Sequence, residues 1–129
     1  MSEKTKFELE YLIKTSSKIL YNMLSTPSGL SEWFADDVNI RDDVYTFIWD
    51  GSEETAHIIN KKINESIRFQ WEDDVNEENS YFFEMRIQID PLTKEVALII
   101  TDFAEEDEIE ESKMLWDNQV NELKHVLGS

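Results

Sequence analysis

The sequence contains no cysteine, which removes disulfides, thiol nucleophiles and thiolate metal sites together. Its three glycines and two prolines are scattered singly, leaving no linker, no phosphate-cradling loop and no GxSxG elbow. The two histidines, His57 and His125, lie far apart, and no HExxH spacing exists. No zinc site and no other metal site or cofactor is therefore expected. Basic residues are also scarce: 12 Lys and Arg stand against 29 Asp and Glu, for a formal charge of −17. Such a surface repels phosphate and anionic headgroups, so neither nucleic acid nor an anionic membrane is expected as a partner. The longest apolar run, residues 96–100, falls far short of the ~20 residues that span a bilayer. The opening MSEKTKFELE lacks the apolar stretch of a secretion signal. A soluble cytoplasmic domain is the expectation.

What is present is enough apolar material for a core: 129 residues, 40% hydrophobic and 12% aromatic. One domain over residues 1–129 fits this length, with about two thirds of the unfolded surface buried. Phe7, Leu9, Tyr11 and Ile13 alternate with more polar neighbours, the period of a half-buried strand. Behind Thr15-Ser16-Ser17, Ile19, Leu20, Met23 and Leu24 fall at helical spacing. Thr26-Pro27 then signals a second short helix carrying Leu30, Trp33 and Phe34.

From residue 36 to 103 the period returns to two. Strands are predicted at 38–41, around Tyr45/Phe47/Trp49, at 53–63, around Ile67/Phe69/Trp71, over Tyr81 to Ile89, and from Glu95 to about Phe103. Asp50-Gly51-Ser52 and residues 90–94 read as turns, and 73–79 as a polar connection. Short connections imply antiparallel pairing. Residues 105–127 read as a helix with acids at its start, Lys124 and His125 near its end, and Gly128 as the stop. Its apolar stripe is Ile109, Trp116, Val120, Leu123 and Leu127. The fold class is α+β: a curved antiparallel sheet of about six to seven strands wrapped on a long C-terminal helix, with two short helices after strand 1.

The stretch from Ile13 through Thr15-Ser16-Ser17, Leu20 and Pro27 to Trp33-Phe34 resembles the opening of START-like helix-grip proteins. This superfamily, also called SRPBCC, includes the birch-pollen-allergen-like proteins and the homologues of the heat-shock-protein ATPase activator. The tail from Trp116 to Leu127 resembles the closing helix of the activator-homologue branch. Thr93-Lys94-Glu95 stands where a glycine-threonine element is common, and Thr101-Asp102-Phe103-Ala104 is also unlike the usual sequence. The resemblance implies a cavity between sheet and long helix that receives apolar or amphipathic ligands, or a co-chaperone-like interaction module.

The aromatic set carries the functional expectation. Trp33, Phe47, Trp49, Phe69, Trp71, Phe83 and Trp116, with Met85 and Met114 nearby, either wall a hydrophobic cavity or pack as ordinary core. His57, grouped by alternation with Thr55 and Ile59, is either a polar anchor within that cavity or a solvent-facing side chain. Arg68 and Arg86 share the opposite parity with Gln70, Glu84 and Gln88 and read as the outer sheet face. The carboxylate pairs Asp36-Asp37, Asp42-Asp43 and Asp73-Asp74 lack the spacing of a calcium loop. The first expectation is non-catalytic binding of a small apolar or amphipathic (lipid-like) ligand by Trp33, Phe47, Trp49, His57, Phe69, Trp71, Phe83, Met85 and Trp116, with access gated around Trp33 and Phe34. The alternative is a protein-interaction module with an acidic docking surface. An enzyme in the same fold would need His57 or a buried carboxylate beside the pocket with a perturbed pKa.

Overall fold

A computed structural model describes residues 3–74 and 81–128. Most of the polar connection expected at 73–79 lies outside the described residues. The first strand, β1 (Lys4–Ile13), is followed by two short helices, α1 (Ser17–Ser25) and α2 (Pro27–Trp33). Six further strands follow: β2 (Asp37–Arg41), β3 (Val44–Trp49), β4 (Ser52–Lys62), β5 (Ser66–Trp71), β6 (Phe83–Ile89) and β7 (Val96–Glu105). The chain closes with α3 (Ile109–Leu127). All seven strands form one antiparallel sheet in the order β1-β7-β6-β5-β4-β3-β2.

Local chemistry sets the helical corner. Ser16 Oγ accepts the Ile19 amide at 3.1 Å and caps α1, and Thr26 Oγ1 accepts the Gly29 amide at 3.0 Å and caps α2. Pro27 occupies the first turn of α2, where its missing N–H costs nothing. Gly29 lets α2 close onto α1, because a Cβ there would lie 2.4 Å from the Asn22 carbonyl oxygen and 2.7 Å from the Met23 Cα. The sheet corners are two-residue turns with both residues at positive φ, Asp42-Asp43 and Asp50-Gly51, the hand that suits twisted hairpins.

Alternation divides the sheet. The concave row holds Phe7 and Ile13 of β1, Tyr45 and Phe47 of β3, Ile67 and Phe69 of β5, Met85 and Ile87 of β6, and Leu98 and Ile100 of β7, all buried. A register shift between Ile58 and Asn60 inserts one extra residue into β4, a bulge that bends the strand. On the convex face Arg68 Nη2 lies 2.6 Å from Glu84 Oε2, and its guanidinium covers the Phe82 ring at 4.0 Å.

The C-terminal helix lies across the concave face with Trp116, Val120 and Leu123 buried. Three hydrogen bonds fix it: Tyr11 Oη to Asp117 Oδ1 at 2.6 Å, Trp116 Nε1 to Asp102 Oδ2 at 2.8 Å, and Gln119 Nε2 to the Phe34 carbonyl at 2.9 Å. Gly128, at φ 70°, ends it in the left-handed conformation that closes helices. Its start differs from expectation. The final strand runs on to Glu105, a 3₁₀ turn occupies Glu106–Glu108, and regular helix begins at Ile109. Met114 also departs from the expected cluster, being 64% exposed. Two residues from Trp116 is roughly half a turn round a helix, so Met114 faces away from the sheet.

Candidate binding site

Aromatic residues of β3, β6 and α3 meet at Phe34, which follows α2. Its ring lies 5.1 Å from Phe47, 5.5 Å from Trp49, 5.7 Å from Phe83 and 5.7 Å from Trp116, centroid to centroid. Below it Phe69 stacks on Phe83 at 5.0 Å, and Tyr45 meets Phe69 edge-on at 5.1 Å. Phe47, Phe69, Phe83 and Met85 are at most 1% exposed, so this part of the helix–sheet space is filled by protein.

Beyond Phe34 the filling stops. A groove of about 750 Å³ lies between the ends of β3, β4 and β5 and the first half of α3. Phe34, Trp49, Trp71, Leu115 and Trp116 supply its apolar wall, and Thr55 and Gln119 add neutral polar groups. Trp49 and Trp71 face each other at 6.1 Å with their planes 55° apart. Among the described residues, six acidic ones line the groove, Glu53, Glu54, Glu72, Asp73, Asp74 and Asp102, against one cationic one, Lys4. Lys4 Nζ lies 3.7 Å from Asp74. The volume falls within the ~300–1,000 Å³ of ordinary small-molecule sites.

Asp102 is the residue whose place the sequence did not reveal. It pairs with Phe7 across the sheet and continues the concave row of Val96, Leu98 and Ile100, so strand geometry aims a carboxylate inward. Burial pushes its pKa up to about 6, against hydrogen bonds from the Trp116 indole and the Phe103 amide that favour the charged form. Those two donors occupy one oxygen each. The available signal was a lone acid in a strand whose other same-parity residues are apolar. The Phe34 carbonyl accepts both the Trp49 indole N–H at 2.7 Å and the Gln119 amide, joining the groove wall to α3.

Of the nine residues expected to bind ligand, Trp49, Trp71 and Trp116 line the groove. Phe47, Phe69, Phe83 and Met85 sit in the packed region behind it. Trp33 is buried at the α1–α2 seam, its indole donating to the Met23 carbonyl at 2.8 Å. His57 requires correction. It pairs with Val44 and Gln70, while its neighbours Ala56 and Ile58 pair with the concave residues Tyr45, Trp71 and Phe69. The side chain therefore projects from the convex face, with Nε2 3.8 Å from Glu72 Oε1. Grouping it with Ile59 failed because Ile59 is the bulged residue and is itself 47% exposed.

Glu105, Asp107 and Glu108 gather their carboxylates within 4.8 Å of one another, outside the groove wall. A hydrogen bond that protonated Glu108 donates to Glu105, together with the Glu105 charge, raises the pKa of Glu108. Among the described residues no helix is long and apolar enough to cross a membrane.

Comparison with curated protein sequences gives no match. Among solved structures, the solution NMR structure of BfR322 from Bacteroides fragilis is 42% identical, with a TM-score of 0.68 over 98% of this chain and 93% of that one. The solution structure of the Aha1 dimer from Colwellia psychrerythraea matches at a TM-score of 0.76, with 16% identity and 93% of each chain covered. ChR145 from Cytophaga hutchinsonii matches at 0.74, with 17% identity over 99% of this chain and 97% of that one. The latter two likenesses are of fold alone. The model of the START-like superfamily domain matches residues 1–129. With its sheet, its two short helices and its closing helix accounted for, the chain belongs to the START-like superfamily.

Proposed function

We propose that residues 1–129 act as one non-catalytic binding module that takes a small apolar or amphipathic molecule into the groove between sheet and C-terminal helix. The carrying observation is the groove itself, about 750 Å³ with Phe34, Trp49, Trp71 and Trp116 along its wall. Apolar surface placed against these rings gains about 25 cal/mol per Å² before the cost of ordering the ligand. The rings are held in advance by hydrogen bonds from Trp49 to the Phe34 carbonyl and from Trp116 to Asp102, which limits that cost. Catalysis finds little support: His57 projects from the far face, and both oxygens of Asp102 are engaged. The test is tryptophan emission during titration with short-chain amphiphiles and flat aromatic molecules. A saturable change that weakens at least tenfold in Trp71→Ala supports the proposal. No change with any of them, alongside unaltered thermal stability, rejects it.

A second reading, a co-chaperone-like interaction module, is favoured by the charge of −17 and by the exposed Met114 and Leu115 on α3. The structural likeness to the Aha1 dimer is compatible with it. A protein partner steered by this charge would bind more weakly as salt rises, because ions screen exposed charges within about 10 Å at 0.1 M. Binding unchanged between low and high salt would remove the acidic docking surface from consideration.

A further inference from the structure

We propose that the groove selects an organic cation, a compact ammonium group carrying an apolar body. This rests on the ligand-binding reading above and adds the sign of the ligand's charge. Among the described residues, six acidic residues line the groove against a single lysine, which already lies beside Asp74. Glu54 and Asp102 project from the concave face, while Glu53 and Glu72 stand at the rim toward the convex side. A fatty acid or other anionic amphiphile would meet a concentrated field of its own sign, and an uncharged one would leave that field unused. An ammonium group meets both features of the wall at once. The angled Trp49 and Trp71 rings present indole faces, the aromatic surface that attracts cations most strongly. Glu54, opposite Phe47 in the sheet, and Asp102, at the foot of Trp116, bring carboxylates to that same aromatic wall from two different strands. The low-dielectric side of the cleft strengthens these attractions over those at an open acidic surface.

The test uses three ligands with the same chain, decyltrimethylammonium, 1-decanol and decanoate, each below its micelle concentration. Binding is followed by tryptophan emission and by calorimetry for stoichiometry. One decyltrimethylammonium should bind per chain, at least tenfold more tightly than decanol, and decanoate should not bind detectably. Raising salt from 20 to 500 mM should weaken the cation several-fold and leave decanol unchanged. Glu54→Gln with Asp102→Asn should bring the cation to within about threefold of decanol. Glu53→Gln with Glu54→Gln, both exposed side chains, should move affinity the same way and guards against a folding defect at Asp102. The control Glu10→Gln with Glu122→Gln removes the same charge outside the groove and should stay within twofold of the unaltered protein.

Equal affinity for cation and decanol would overturn the charge selection while leaving the binding reading standing. Tighter decanoate binding would do the same, as would a control pair that loses as much as the groove pairs. Silence from all three ligands would remove both proposals.

Discussion

Phe47 and Trp49 lie two residues apart on β3, and Phe69 and Trp71 two residues apart on β5, all on the same concave face. The first of each pair is fully buried, whereas the second is partly exposed on the groove wall. Residue type and parity are alike in the two regions; what differs is the roof. Phe34 and Phe83 touch rings of both pairs, but they leave the inner pair fully covered, while the outer pair opens onto the groove beside Leu115 of α3, 60% exposed. Packed aromatics supply stability through contact with one another, and those at the edge keep a face free for something else. The carboxylates follow the same division, since they surround the open end.

Removing the roof should break this contrast most severely. Phe34→Ala deletes a ring 4% exposed that touches five other aromatics, and should cost about 3–5 kcal/mol in denaturant melts. A cost below about 1 kcal/mol would mean that the packed end is far less cooperative than its geometry implies.

Asp102 sharpens the contrast at its boundary. Its pKa is raised to about 6 in the folded protein, above the ordinary 3.8, so the folded state holds the proton more firmly than the unfolded one. Its contribution to stability is most favourable below about pH 4 and is lost as pH rises through about 6. Asp102→Asn keeps an acceptor for the Trp116 indole and removes the charge. The variant should match the unaltered protein near pH 4 and exceed it by roughly 1–3 kcal/mol at pH 7. Urea melts at unit pH steps measure the difference, and a gap that stays constant with pH would refute it.

The smallest effect belongs to the convex face. His57→Gln removes a part-exposed contact to Glu72 and should change stability by less than about 0.5 kcal/mol, with ligand-induced emission unaltered. A loss of ligand response in that variant would extend the site across the sheet edge.

Faces were legible in the sequence, and depth was not. Tyr45, Phe47 and Trp49 announce one side of a strand by alternation alone, but nothing local says where a helix from the far end of the chain stops covering them. The caps at Ser16 and Thr26 were legible because they act within three residues. The link from Asp102 to Trp116 spans the turn from sheet to helix, and only tertiary packing brings the two together. His57 was misplaced for a different reason: Ala56-His57-Ile58-Ile59 has apolar residues on both parities, and a bulge resolves it in a way that no strict period describes. The helix start was read too early because acids favour a helical first turn by charge, while Glu105 was claimed by pairing with Lys4 across β1.

The bulge in β4 also determines where the chain tolerates a change in length. With Ile59 deleted, Ile58 would still face inward, Asn60 would follow it outward opposite Arg68, and Lys61 would keep its place opposite Ile67. The ribbon absorbs that loss by straightening, with no side chain exchanged between faces. The Asp50-Gly51 hairpin has no such slack, because its two residues already form the shortest connection between β3 and β4. Of these two neighbouring sites, natural shortening is accommodated at the first and forbidden at the second.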